Sequence, residues 1–368
     1  MMGVREGAIH VAIVGVGNCA SALVQGLAHY RSGEDEDQVG LANSLLADRM
    51  LSDIAIKLAF DVDARKVGLD LHEAIFSAPN CTAEFCSPSG ASGTIVKMGR
   101  VLDGVARHML EPPSEKGYVV SDDQEPDIDE IVLELKRNDV EVVVNYLPVG
   151  SIKASQYYAQ AAIQAGCAFV NCVPVFIASD KRWASKFERE GLPVLGDDIK
   201  SQVGATILHR TLTELFLSRG AVIDRSYQLS TGGNTDFRNM LDRERTSEKV
   251  RSKTEAVDSV LSRAGKKAKL KIAPAEYVEW QNDHKVCFLR IEGRNFGGVP
   301  LNLEIRLDVE DSPNSAAAVV DLIRCASYAK RNRMSGAIEA ASAVYCKRPP
   351  VQMNDGLAIE MLARWVGN

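Results

Sequence analysis

Four lysines stand where chemistry on an anion is conceivable. Lys249 and Lys253 are four residues apart in SEKVRSK, so on a helix they share one face. Lys285 opens the apolar segment KVCFLRIEG, and Lys347 lies in SAVYCKRPP, just before a proline break. Carboxylates and hydroxyls accompany them. Asp197 and Asp198 end an apolar run in VGDDIKS, with Lys200 and Ser201 at an expected helix start, and Asp311 and Ser312 sit in VEDSPNSAA. Such cations could grip an anionic substrate. Each feature has a plainer reading when taken alone. A charged helix face is commonly just solvated, isolated lysines are usually on the surface, and Asp or Ser at a helix start is often a cap.

A second constellation is VAIVGVGNCAS, in which Gly15, Gly17 and Ala20 form G-x-G-x-x-A between a strand-like and a helix-like segment. Gly15 permits a tight turn, Gly17 lets the backbone approach a pyrophosphate, and Ala20 keeps helix and strand close. The helix N-terminus then attracts phosphate charge. Asp61 ends the next strand-like run, AFDVD, where a carboxylate can bind a ribose diol. It lies farther along than the ~20 residues usual for this fingerprint, and the intervening acidic excursion accounts for the excess. An acid there favours NAD over NADP. The six histidines show no HxxxH or HxH spacing and the eight cysteines no CxxC pair, so no dedicated histidine or zinc cage is expected.

These residues need elements to position them. IHVAIVGVG, IAIKLAFDVD, VEVVVNYLP, AFVNCVPVF and LPVLGDD are short apolar runs of strand character. Helical patterns alternate with them: NCASALVQGLAHY, ARKVGLDLHEAIF, DIDEIVLELKRN, ASQYYAQAAIQAG and DKRWASKFEREG. Continuous apolar strands separated by helices predict a parallel sheet covered on both faces, an α/β, Rossmann-like doubly wound fold. After about Ser201 the pattern changes to a long helix followed by alternating strands, VIDRSYQLS, KVCFLRIEGRNF and LNLEIRLDVE, as in a mixed or antiparallel sheet with one wet face. From Ser312 helices return. The expected layout is a dinucleotide domain over residues 1–200, an inserted α+β domain over 201–311, and C-terminal helices over 312–368 that pack back on the first. Residues 31–53, with the cluster GEDEDQ, read as an excursion, and no role is assigned to 80–125.

At 368 residues two domains are expected. The chain is 46% hydrophobic and 25% charged with a net charge of −6, which speaks against a nucleic-acid partner. The charged stretch 231–253 is near balance and lacks interleaved aromatics. No apolar run approaches the ~20 residues needed to span a bilayer and no signal peptide is evident, so a cytoplasmic protein with reduced cysteines is expected.

Together the motifs resemble one family. GVGNCAS, FDVD, NYLPVGS, VNCVPVFIAS, GDDIKSQVGAT, GGNTDF, SEKVRSK, EDSPNSA and SAVYCKRPP occur in this order in myo-inositol-1-phosphate synthases of the shorter bacterial and archaeal branch, and the resemblance covers nearly the whole chain. It implies an NAD-dependent isomerase, usually a homotetramer, that turns glucose 6-phosphate into 1L-myo-inositol 1-phosphate by oxidation at C5, enolisation, aldol closure and re-reduction. The inserted domain would carry tetramerisation and catalysis. Position by position it implies catalytic Lys249, Lys253, Lys285, Lys347, Asp198 and Asp311. The cofactor would meet Gly15, Gly17, Asn18, Cys19, Ala20, Asp61, Asn145, Asp198, Asp236 and Ser312. Ser201, Asn234 and Lys253 would hold the substrate phosphate, and Asp311 and Ser312 a divalent cation, zinc or magnesium. Lys249 would handle protons at C5, with Lys285 and Lys347 at the C5 and C1 oxygens. One departure is visible: Thr235 stands where the family usually has Asn or Met. The competing readings are a conventional NAD-dependent phosphosugar dehydrogenase, which would accumulate NADH, and a non-catalytic NAD-binding regulator. The lysine segment is expected to be loose without ligand and to close over it.

Overall fold

The computed structural model describes residues 7–31, 39–272 and 275–367. The acidic cluster of the expected excursion lies outside the described residues, and the described remainder holds a short hairpin, Leu45–Leu46 with Arg49–Met50.

Continuous β-branched and apolar runs form a parallel sheet. Its strands are β1 (Ile9–Val14), β2 (Ile54–Asp61), β3 (Val96–Met98), β4 (Val142–Asn145), β5 (Ala168–Asn171) and β6 (Pro193–Leu195), in the order β3-β2-β1-β4-β5-β6. Every pair is parallel. This is the doubly wound dinucleotide-binding order, and its ligand crevice lies outside the carboxyl ends of β1 and β4, where the order reverses. Alternate residues of each strand feed opposite cores. On one face Ile13 and Val144 pack with Leu23 and Leu27 of α1 (Asn18–Arg31). On the other, Ala12, Val143 and Phe169 pack with Ile131, Tyr158 and Phe187 of α2 (Ile128–Arg137), α3 (Ile152–Ala165) and α4 (Lys181–Arg189).

The expected helix over ARKVGLDLHEAIF shrinks to a single turn, Leu71–Ala74. Gly68 takes φ +87° and Asp70 turns its side chain onto His72 N as a cap, so the backbone before residue 71 is spent on turns.

The second half begins with α5 (Ala205–Ser218). A mixed sheet follows, built from β7 (Val222–Gly232), β8 (Lys269–Ile272), β9 (Glu276–Tyr277), β10 (His284–Arg294) and β11 (Pro300–Glu310). β7 pairs parallel with β8 and β9 and antiparallel with β10, and β10 pairs antiparallel with β11. Between β7 and β8 run α6 (Thr235–Asn239) and α7 (Ser247–Arg263). Phe216 of α5 and Leu261 of α7 cover one face, against Ile223, Leu289 and Ile291. On the other face Leu229 and Phe288, paired across strands, are 43% and 44% exposed. The chain then returns: α8 (Pro313–Arg331) packs beside α1, β12 (Gly336–Ala337) extends the first sheet beyond β6, and α9 (Glu339–Tyr345) and α10 (Asp355–Trp365) close it. Among the described residues no helix is long and apolar enough to cross a membrane.

Candidate active site

A cleft of about 1300 Å³, mouth included, opens where the carboxyl ends of the first sheet face the segments between β7 and β10. Its walls include Gly17, Asp198, Ser201, Asp236, Lys253 and Lys347. A connected pocket runs from Gly15 past Asp61 to Tyr118.

The glycine loop is shaped for a dinucleotide. Gly15 has φ +94°, and a Cβ there would lie 2.9 Å from Tyr146 O, so only glycine fits. A Cβ on Gly17 would meet no protein atom within 4 Å, so its missing side chain leaves space on the ligand side. Asp61 accepts from Val16 N at 2.7 Å through Oδ2, and from Val62 N and Asp63 N at 2.7 and 2.9 Å through Oδ1. Buried Lys66, which the motifs did not reveal, braces the loop by donating to Val16 O at 2.8 Å and Asn80 Oδ1 at 2.9 Å. Asn18 and Cys19 face the cleft. Ala20 is fully buried against the sheet. Asn145 is buried as well, donating to Ser155 Oγ and Asn171 Oδ1, so the structure puts its side chain behind the cleft wall formed by Tyr146 and Pro148.

The two adjacent carboxylates after β6 part company. Asp197 turns inward and accepts from Asn171 Nδ2 and from the backbone of Ile177, Ala178 and Ser179, which shapes that loop. Asp198 takes the left-handed φ of +59° and faces the cleft. The segment 197–200 lies antiparallel to 345–348: Asp197 N donates to Arg348 O at 2.8 Å, Lys347 N to Asp198 O at 2.6 Å and Lys200 N to Tyr345 O at 2.7 Å. That pairing delivers Lys347 to Asp198, and Lys347 Nζ reaches Asp198 Oδ1 at 2.8 Å. The helix expected to start at Lys200–Ser201 starts at Ala205, with Gly204 as cap, because residues 201–204 form a turn instead. Its first residues, Ala205 to Ile207, and Ser201 line the cleft, which presents free N–H groups to an anion.

Three of the four sequence-marked lysines pair with an aspartate. Lys347 meets Asp198, Lys285 Nζ meets Asp311 Oδ1 at 2.8 Å, and Lys249 Nζ meets Asp236 Oδ2. Burial opposes charge on Asp198, but Lys347 and a 2.6 Å hydrogen bond from Ser252 Oγ outweigh it and hold the carboxyl below its ordinary range. Burial likewise opposes charge on Asp311 and Lys285; each outweighs it for the other, so Asp311 is lowered and Lys285 raised. Lys253 differs. It is buried and, among the described residues, has no carboxylate within ion-pair distance. Burial, followed by repulsion from Lys249, Lys285 and Lys347, brings its pKa down to about 7.

Asn234 caps α6, accepting from Asp236 N and Phe237 N, and donates one amide N–H to Asp283 Oδ1 at 2.8 Å. Asp283 is a site neighbour that sequence reasoning missed: QNDHK carries no motif. It also accepts from Ser312 N at 3.1 Å and Ser312 Oγ at 2.9 Å, and burial, then Asp311, pushes its pKa up to about 7. Thr235 Oγ1 accepts from Asn18 Nδ2 at 3.4 Å, joining the glycine loop to α6.

The same residues connect the chain with known proteins. A model of the myo-inositol-1-phosphate synthase family matches residues 204–312, from the α5 cap to Ser312. The inositol-3-phosphate synthase of Mycolicibacterium smegmatis is 49% identical over 362 residues, 97% of each chain. The chain belongs to the myo-inositol-1-phosphate synthase family. The inositol-3-phosphate synthase of Mycobacterium tuberculosis is 47% identical over 359 residues, covering 97% of this chain and 95% of that one. A solved myo-inositol-1-phosphate synthase-related protein from Thermotoga maritima superposes with a TM-score of 0.79 at 26% identity, over 98% of each chain. The family match spans α6, α7, β10 and Asp311, and so includes three of the four lysines.

Proposed function

We propose that the cleft converts D-glucose 6-phosphate into 1L-myo-inositol 1-phosphate, opening inositol biosynthesis by an isomerisation that consumes no net oxidant. The carrying observation is the lysine arrangement: three ammonium groups oriented by aspartates around a fourth that lacks one. The empty counter-charge at Lys253 suits a substrate phosphate, with Ser201, the α5 N-terminus and the second amide N–H of Asn234 as further donors. Lys249 is assigned the proton at C5. Lys285 and Lys347 are assigned the C5 and C1 oxygens, where a positioned cation stabilises the charge that enolisation and ring closure develop. Their aspartates orient them and supply acceptors for the protons they carry.

NAD, held by the Gly15–Gly17 turn, the α1 N-terminus and Asp61, supplies reversible hydride transfer when bound. The positive-φ turn at Gly15 and the open side of Gly17 support that fit. A divalent cation finds oxygen donors at Asp311 and Ser312, with Asp283 beside them. That donor type suits magnesium better than zinc. Among the described residues no three His, Cys, Asp or Glu side chains gather into a cage. We read residues 1–200, 201–311 and 312–368 as nucleotide domain, inserted domain and returning helices of a cytoplasmic homotetramer. The exposed Leu229–Phe288 pair supports self-association of the second sheet.

The test is product identification. Incubation with glucose 6-phosphate and NAD+ should give a new inositol phosphate resonance by phosphorus NMR with no net NADH. Stoichiometric NADH without that product would instead mark a conventional dehydrogenase.

A further inference from the structure

Asp355, the first residue of α10, lies where three segments carrying cleft groups converge. One carboxylate oxygen accepts from Lys200 Nζ at 3.0 Å and the other from Arg210 Nε at 2.7 Å. The Lys200 and Arg210 side chains are 3% and 0% exposed, so both cations depend on that partner.

Each cation then extends into a different part of the site. Lys200 belongs to the loop of Asp198 and Ser201, and its Nζ also donates to Ala343 O at 2.8 Å. Arg210 reaches α7, donating to Ala256 O at 2.5 Å and Ser259 Oγ at 3.1 Å, beginning about one turn beyond Lys253. It also donates to Met353 O at 2.6 Å and Gln352 Oε1 at 3.4 Å, and Gln352 Nε2 donates to Lys347 O at 2.6 Å. Short chains of bonds therefore run from one carboxylate to the backbone near Ser201, Lys253 and Lys347.

We infer that Asp355 is a positioning residue: through Lys200 and Arg210 it fixes the spacing among the Ser201 loop, the α7 lysines and Lys347. The inference rests on the synthase reading, which assigns those groups to glucose 6-phosphate. The charges that act most on Lys253 are Lys249 on the same helix, Lys285 on β10, and Lys347 and Asp198 on the paired loops; Asp355 is not among them. Neutralising Asp355 therefore reaches Lys253 by letting its lysine neighbours drift apart. As they separate, Lys253 keeps its proton to higher pH.

The experiment is calorimetric titration of the NAD-loaded protein with glucose 6-phosphate across neutral to alkaline pH, for wild type, Asp355→Asn, Asp355→Glu and Gln352→Leu. Wild-type affinity should fall above about pH 7 as Lys253 deprotonates. Asp355→Asn should weaken binding roughly 10-fold below pH 7, where Lys253 is charged in both proteins and only the spacing differs, and should move the fall upward by about one pH unit. Asp355→Glu should restore most of both. Gln352 is only half-buried, so Gln352→Leu should fold whatever happens to Asp355→Asn. That variant cuts only the branch to Lys347 and should move the fall the same way by less. A fall that stays at the wild-type pH in Asp355→Asn, or in Gln352→Leu where the former does not fold, would overturn the inference and leave Asp355 a plain fold-stabilising ion partner. Wild-type protein that binds no glucose 6-phosphate at any pH would overturn the reading of the site itself.

Discussion

Lys249 and Lys253 lie one turn apart on α7, yet only Lys249 meets a carboxylate. At pH 8 Lys253, with its pKa brought down to about 7, is mostly neutral in the free protein. A phosphate dianion beside it raises that pKa, so binding of glucose 6-phosphate at pH 8 should take up about one proton. Calorimetry in buffers of different ionisation enthalpy measures this directly, and Lys253→Met should abolish the uptake and weaken binding roughly 10- to 100-fold. Stability follows with a defined sign. Between about pH 7 and 10 the unfolded chain holds the Lys253 proton and the native state does not, so this residue makes stability rise with pH across that window. Lys253→Met should remove the rise.

The two glycines of the first turn should behave differently. Gly15→Ala forces a Cβ against Tyr146 O at a positive φ, and should cost about 1–3 kcal/mol of stability, read as a lowered Tm. Gly17→Ala meets no protein atom and should fold like wild type, but it fills the space left for a pyrophosphate. Its NAD affinity should drop at least 10-fold with Tm unchanged. Equal NAD affinity in Gly17→Ala and wild type would place the cofactor elsewhere.

Asp198 and Lys347 form a largely buried pair, 4% and 15% exposed. Lys347→Met leaves a buried carboxylate without its main counter-charge and should cost about 3–5 kcal/mol in chemical denaturation. Adding Asp198→Asn should recover a large part of that stability without recovering turnover. Additive losses in the double variant would show that the pair is not coupled.

Removing divalent cations with a chelator should lower turnover, and magnesium should restore it. Asp311→Asn should lose the restoration while NAD still binds through the glycine turn.

The strand runs and the glycine turn were legible because burial and steric need leave local traces: IHVAIV is apolar on both sides of the pleat, and Gly15 marks a turn no other residue makes. The lysines were legible only as a set, since Lys285 and Lys347 singly look like surface residues. Asp283 was not legible, because its significance comes from Asn234 and Ser312, 49 and 29 residues away, folding onto it. Lys200 shares an expected helix start with Ser201, but nothing local marks the buried contact its side chain makes with Asp355, a partner 155 residues distant. The expected helix at 64–76 failed because an apolar period says nothing about a cap that restarts the helix at residue 71.

The antiparallel pairing of 197–200 with 345–348 also sets a schedule for biogenesis. Asp198 and Lys347 are 149 positions apart. At ~5–20 residues per second on the ribosome, the aspartate waits roughly 7–30 s for its lysine. By the last part of that time the glycine turn and the α7 lysines exist, but the fourth ammonium and the 345–348 segment that carries it do not. The same late segment brings α8, whose Val319, Leu322 and Ile323 cover the first sheet beside α1, so the nucleotide half and the sugar cleft are completed by the same last stretch of chain.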